Sequence, residues 1–348
     1  MNDPALIYYV TDPILPLDAQ MGVWPLLTVP PDLQRVLFGP ILDPATGTPG
    51  DLPLFAIIEG TRIPALSLLI EQESLEYAGL FQGKVAEDLG DNIPVLVRLP
   101  QGSRLLRMLL TDMGDDDAPT GMLPKEAAIF IRSSSPLAAL RGHFRHFTQL
   151  PTDEDRRIYF RFWEPASAAP YFDYIVSDFG QVAAWFGDPR SPIASLVMMG
   201  RTPDGWLMHQ FIPSLPNEQP RTPVVMTAGT REVLRLARYN ANVLQAVLLL
   251  RKTFPDEMAQ HAPRKLRSQI DRLYRRLIPL GFHSKKALFM LATWEVFYGP
   301  IFETRDPDGH LAELLMMPGR EDDRIDALRA RIEALPSEIL RQLSPTVA

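Results

Sequence analysis

The sequence predicts an α/β lobe with a mixed sheet, followed by a mostly α-helical lobe. Three observations carry that expectation. Short apolar runs bounded by turn residues alternate with amphipathic stretches between residues 51 and 212. A hairpin signal, Arg201-Thr202-Pro203-Asp204-Gly205, closes the region and adds antiparallel strands to it. Beyond Thr227 the apolar spacing is helical almost throughout. The expected organisation is an irregular lead-in at 1–50 packing on the first lobe, an α/β domain at 51–212, a proline-rich linker at 213–226 and a helical lobe at 227–348.

In chain order, Ala5–Val10 reads as a strand and Gly22–Val29 as a second extended piece. The composition of Asp43–Asp51 marks a loop. Pro53–Glu59 is a short apolar run between turn signals, the pattern of a buried strand. In the stretch after it, Leu66, Leu69 and Ile70 share a helical face, and Gly79 is placed to end that helix. Ile93–Leu99 is the next strand. Ser103–Gly114 is a helix with Ser103 as cap. Glu126–Ser133 is a third strand. The helix after it takes Ser135 as cap and Pro136 at its first position. Arg157–Trp163 reads as a fourth strand, and Ala166–Gly187 holds one or two helices. In the second lobe Thr230 is expected to cap a long helix, and Leu266, Ile270, Leu273 and Leu277 line one side of the next. A third ends at Gly299, Phe302–Leu314 is a small hairpin or turn, and an amphipathic helix runs from Glu321 to Leu335.

The chain of 348 residues is 46% hydrophobic and 22% charged, an ordinary globular mix with enough apolar residues for a sizeable core. Its 34 prolines, about twice average usage, imply stiff loops. The absence of cysteine excludes disulfides, thiolate nucleophiles and cysteine metal sites, and fits a reducing cytoplasm. The start lacks the basic region and apolar run of a signal peptide, and no apolar run is long enough to span a membrane. The net charge of −7 divides into −11 over residues 1–226 and +4 over residues 227–348. Opposite signs suit two lobes that dock together or face different partners.

Motifs for covalent chemistry are missing. There is no Gly-x-Ser-x-Gly, no phosphate-cradling glycine loop and no His-Glu-x-x-His. His143 and His146, three apart on a helix, lack a third metal ligand nearby, so neither a metal nor any other cofactor is expected. Asp112–Asp117 lacks the spacing of a calcium loop and reads as a solvated turn. Arg264–Arg276 places six cations in thirteen residues, among them Arg264 and Arg267. Docking on an acidic protein surface is preferred there to nucleic-acid binding. In Ile158–Pro165, strand geometry sends Ile158, Phe160 and Phe162 one way and Tyr159, Arg161 and Trp163 the other. Aromatics on both faces imply that both are covered. A charged Arg161 then needs a carboxylate partner, for which Glu59 and Glu164 are the candidates.

The order of these segments resembles the effector-chaperone (adaptor) family of bacterial type VI secretion. Phe55–Arg62 matches the family's Ala-Leu-(Ile/Leu)-Asp-Gly-Ala-Arg, with Glu59 in place of aspartate. Leu140, Arg141, His143 and Phe144 match its Leu-Arg-x-His-Leu, and Arg161–Pro165 match its Arg-Phe-Tyr-Asp-Pro, with Trp163 and Glu164 substituted. Both acid changes lengthen the arm by one methylene, so a pocket in which those acids pair with Arg62 or Arg161 must adjust. The similarity covers Leu52–Asp188, extends loosely to Leu280–Phe302 and leaves residues 1–50 uncovered. It implies a non-enzymatic cytoplasmic protein that binds a toxic effector and helps load it onto the secretion spike trimer or its cone-shaped cap, with no nucleic acid and no membrane as partner. Two other classes stay open from the residues themselves: a hydrolase working through Glu59 and Glu164, and a nucleic-acid-binding regulator working through Arg264–Arg276.

Overall fold

The computed structural model describes residues 4–115, 118–216 and 220–335. Asp116 and Asp117 of the acidic run, and residues 217–219 of the proline-rich stretch, lie outside the described residues. The chain divides into two compact units, Met1–Arg238 and Tyr239–Ala348, and the division falls inside the long helix Ala228–Thr253.

The first unit is built on a seven-stranded sheet. Its strands are β1 (Leu6–Ile14), β2 (Leu54–Glu59), β3 (Tyr77–Gly79), β4 (Pro94–Arg98), β5 (Ala128–Arg132), β6 (Ser195–Thr202) and β7 (Gly205–Pro213). The spatial order is β1-β7-β6-β5-β2-β4-β3. Every pairing is antiparallel, so the sheet is not mixed. The reason is visible at the centre. β4 and β5 both pair with β2, so they run parallel to each other while β2 lies antiparallel between them. The crossover suggested by alternating strands and helices is therefore split by β2.

Continuous apolar runs in the strands reflect cover on both faces. Phe55, Ile57, Leu96, Ile129 and Ile131 point into one core, against the helices Leu137–Arg145, Pro165–Tyr174 and Phe179–Phe186. Ala56, Ile58, Val97, Ala128 and Phe130 point into the other, against the helices Pro31–Phe38, Leu66–Gln72 and Arg104–Leu109. The hairpin of β6 and β7 forms where expected, with Thr202 opposite Gly205.

Several local expectations differ. The lead-in is not wholly irregular: β1 joins the sheet edge, with Leu6 opposite Pro213 and Val10 opposite His209. Gly22–Val29 forms no strand. The helix at Leu66 stops at Gln72, and Gly79 instead lies in β3. Only Arg157–Tyr159 of the expected fourth strand is extended, and it pairs with Gln149–Pro151 outside the main sheet. Beyond it the chain turns, because Pro165 fixes the start of a new helix whose first N–H groups, on Ser167 and Ala168, reach the Glu164 carbonyl. The helix after β5 begins at Leu137, one residue beyond the Pro136 cap position, so Ser135 does not cap it. Thr227 replaces Thr230 as the cap of the long helix, its hydroxyl accepting the Thr230 N–H at 3.2 Å. The described part of the proline-rich stretch lies against the first unit. Met226 is buried and its N–H donates to the Pro151 carbonyl at 2.8 Å.

Ser103 does cap its helix, accepting the Leu106 N–H at 3.2 Å, while the Glu73 carboxylate takes the N–H groups of Arg104 and Leu105. Ser103→Ala is expected to destabilise this unit by about 1 kcal/mol in denaturant unfolding, with Glu73 retaining the other two donors. An unchanged midpoint would show that Glu73 suffices.

The second unit is helical. Leu266, Ile270, Leu273 and Leu277 of Pro263–Leu277 are all buried, packed with Leu288 and Leu291 of Lys285–Tyr298 and with Ile325 and Leu328 of Glu321–Ala334. Gly299 ends its helix at φ 86°, a left-handed conformation that suits glycine. Of the hairpin or turn expected at Phe302–Leu314, a 3-10 turn forms at Phe302–Arg305, followed by the helix His310–Met316. Asp306 organises it. Its carboxylate accepts N–H bonds from Asp308 and Leu311 and a two-pronged contact from Arg331. The Arg331 contact, acting against partial burial, holds that carboxyl down at about 2.

Candidate functional site

Three separated segments meet around one carboxylate. Glu59 ends β2 and leads into the 3-10 turn Gly60–Arg62. The turn fits tightly, since a side chain at Gly60 would overlap the carbonyl oxygens of Asp91 and Ile93. Opposite it, Arg161–Glu164 forms the turn before the helix Pro165–Tyr174. The third segment is Lys125–Glu126, just ahead of β5.

The contacts form an alternating chain of charge. Glu59 Oε2 accepts from Arg161 Nη2 at 2.6 Å and from the Trp163 indole N–H at 2.6 Å. Glu59 Oε1 accepts from the Thr61 hydroxyl at 2.8 Å and the Thr61 N–H at 3.2 Å. Arg161 also lies 3.1 Å from Glu164 Oε1, which accepts from Arg62 Nη2 at 3.0 Å. Arg62 Nη1 donates to the carbonyls of Lys125 and Glu126. Both acids thus reach arginines across the fold, and the longer glutamate arms serve this.

Burial acts to raise the Glu59 carboxyl. The hydrogen bonds from Trp163, Thr61 and Arg161 outweigh it and hold the group below the usual carboxylate range. Both oxygens are fully engaged, so Glu59 has neither a proton to give nor a lone pair to offer at neutral pH. Arg161 is not buried as the strand reading implied. Its side chain is 47% exposed while that of Glu59 is 3% exposed, so the cluster shows solvent a cationic edge above a covered anion.

The remaining motif residues sit nearby on Leu137–Arg145. Arg141 Nε donates to the Gly79 carbonyl at 2.7 Å, tying the helix to the edge strand β3. His143 is buried, and its Nε2–H donates to the Trp185 carbonyl at 2.8 Å, which fixes the tautomer. Desolvation lowers its pKa, against the opposing pull of the Trp185 carbonyl and the nearby Asp188. His146 is exposed, its Nδ1 3.3 Å from the His143 carbonyl oxygen. Among the described residues no group of three His, Asp or Glu is placed to hold a metal ion.

Behind the turn, Phe160, Phe162 and Trp163 are buried in an aromatic cluster with Phe144, Phe147, Tyr171 and Trp185. In this ring-rich stretch Phe160 and Phe162 wall a core, and the Trp163 indole N–H holds an anion.

Arg264 and Arg267 belong to the second unit, whereas the Glu59 cluster is formed by residues of the first. Within their helix, Arg275 pairs with Asp271 and lies over Tyr239, and Arg276 pairs with Glu295 and Glu303. At least two of the six cations are thus bound to carboxylates of their own unit.

Arg132 was not singled out from the sequence. It is fully buried at the end of β5 and donates to the carbonyls of Leu52, Val36 and Gly39. Burial lowers its pKa, with Asp51 acting in the other direction. A charge ending a continuous apolar run was the available signal, but carbonyl partners from a helix end and the segments beside it leave no pattern to read.

The family model described as "Domain of unknown function (DUF4123)" matches residues 54–176. Glu59, Arg62, Arg141, His143, Arg161, Trp163 and Glu164 all lie in the matched stretch. No curated protein and no solved structure matches the chain.

Proposed function

We propose that this chain is a cytoplasmic adaptor that binds a toxic effector and assists its loading onto the type VI secretion spike trimer or its cone-shaped cap. The family matched over residues 54–176 is one associated with type VI secretion. The observation that carries the reading is the state of the Glu59–Arg161–Glu164–Arg62 chain. Glu59, Arg62, Arg161, Trp163 and Glu164 meet in an ionic cluster in which both Glu59 oxygens are engaged and each acid is held by an arginine. A hydrolase built on Glu59 and Glu164 would need one of them free to exchange a proton. Charge supports partner binding: −11 over residues 1–226 and +4 over 227–348 offer two chemically different surfaces.

The test is co-expression with the products of neighbouring genes, followed by purification. A stable complex with an effector or a spike protein is expected, with no turnover by this chain alone. Failure to retain either partner would end the adaptor reading.

A further inference from the structure

The segment Gly22–Val29, expected to be extended, belongs to a loop whose polarity is inverted. Gln20 is buried and clamps the loop: its Nε2 donates to the Leu27 carbonyl at 3.0 Å and its Oε1 accepts the Leu27 N–H at 2.7 Å. Asp18 Oδ1 accepts the Gln20 N–H at 2.7 Å. The outer surface is apolar. Met21 and Trp24 are 91% and 89% exposed, and Val23, Leu26 and Leu27 are exposed as well. Loops ordinarily turn polar atoms to water, and contiguous exposed apolar side chains mark an interaction surface. A clamped loop presents them without ordering cost on binding.

Beside the tip lies an acidic cavity. The Leu17 N–H donates to the Leu110 carbonyl and the Asp112 N–H to the Leu17 carbonyl, which fixes the loop along residues 110–113. The space between is about 350 Å³ and is lined by Asp18, Ala19, Gln20, Met21, Asp112 and Met113. Asp112 accepts N–H bonds from Trp206 and Gly114, and Asp18 from Gln20. These donors are neutral N–H groups, so they do not themselves cancel the two carboxylate charges. Two methionines and two carboxylates suit a side chain with an aliphatic stem and a cationic head.

We infer that the Met21–Leu27 tip and the Asp18–Asp112 cavity form a docking site for a partner-protein segment that carries arginine or lysine between apolar residues. The inference rests on the adaptor reading for its claim that the occupant is a protein. A second copy meeting this face symmetrically would set acidic cavity against acidic cavity, which disfavours it.

The full chain is titrated into a fluorescein-labelled Leu-Arg-Leu-Leu-Arg-Leu peptide and into its twin with glutamate for arginine. The basic peptide is expected to bind, and the acidic twin roughly tenfold more weakly or less. The double variant Met21→Ser/Trp24→Ser is expected to lose roughly tenfold in affinity, and Asp18→Asn to weaken binding and flatten its salt dependence. The altered side chains are on the surface or keep an oxygen acceptor, and circular dichroism checks that the fold is retained. The site is refuted by no binding, by equal binding of the twins, or by variants that bind like wild type. It is equally refuted by a sedimenting dimer that the double variant dissolves, since the occupant is then a second copy. Co-purification of the double variant with the neighbouring gene product separates the two readings. A partner retained by the variant removes this site and leaves the adaptor standing. A partner missed by wild type removes the adaptor, and the peptide titration still decides the site.

Discussion

Trp185→Ala is expected to lower the unfolding free energy of the first unit by about 4 kcal/mol. Trp185 is fully buried at the hub of the ring cluster. Its indole stacks on Phe147 at a centroid distance of 3.7 Å and meets Phe160, Phe162, Tyr171 and Phe172 edge-on. Its Nε1–H donates to the Tyr171 hydroxyl at 2.9 Å, and its carbonyl receives His143. Truncation removes apolar contact on several sides at once, and rings held by the helix Pro165–Tyr174 and by the non-helical segments at Phe147 and Phe160–Phe162 cannot all collapse into the void. Trp185→Phe keeps most of the area and loses the N–H. The Tyr171 hydroxyl still donates to Gln181 at 3.4 Å, so a smaller loss of about 1–2 kcal/mol is expected. The pair is measured by denaturant unfolding, following the transition of the first unit. A loss below about 1 kcal/mol for the alanine variant would show that the site repacks and that the ring cluster is not a rigid support for the Arg161–Glu164 turn.

How far the sequence could be read follows from what kind of interaction specifies each part. The strands around Ile57, Val97 and Ile131 were legible because burial on both faces leaves an uninterrupted apolar run. The same feature hid their direction, since an antiparallel sheet covered by helices on both sides gives the run usually seen in parallel sheets. The Glu59–Arg161 pairing could be anticipated from the need to neutralise a charge among aromatics, though not which acid would meet which arginine, because that depends on a turn at residues 161–164. Helix faces in the second unit were plain, as at Leu266 and Leu277, because the 3.6-residue period is local. The clamp made by Gln20 and the buried Arg132 were not legible. Each satisfies backbone carbonyls, and carbonyls carry no residue type. Gly22–Val29 misled for a related reason: its apolar residues suggested an extended piece, whereas the Gln20 side chain clamps the Leu27 backbone and holds the segment as a loop.

Glu59→Ala is expected to cost the first unit about 3 kcal/mol and Glu59→Gln about 1–2 kcal/mol. The alanine variant leaves the buried Trp163 N–H without an acceptor and opens the space that the carboxylate filled. Arg161 contributes less to the loss, because its half-exposed guanidinium regains water and keeps Glu164 as a partner. Glutamine keeps the shape but can offer its oxygen to only part of a set of donors that occupied two. The charge adds a pH signature with a defined sign. The folded-state pKa of Glu59 lies below the ordinary glutamate value of 4.5. Its stabilising contribution is therefore present in full above that value and is lost as pH falls through the folded-state value. The stability difference between wild type and Glu59→Gln should be flat from about pH 6 to 8 and should shrink on acidification below pH 4.5. Paired unfolding titrations of the two proteins across this range provide the measurement. A difference that persists undiminished to the acid limit, or grows, would mean that Glu59 is not held as an anion between Arg161 and Trp163, and the structural account of how the Phe55–Arg62 and Arg161–Pro165 motifs meet would fall with it.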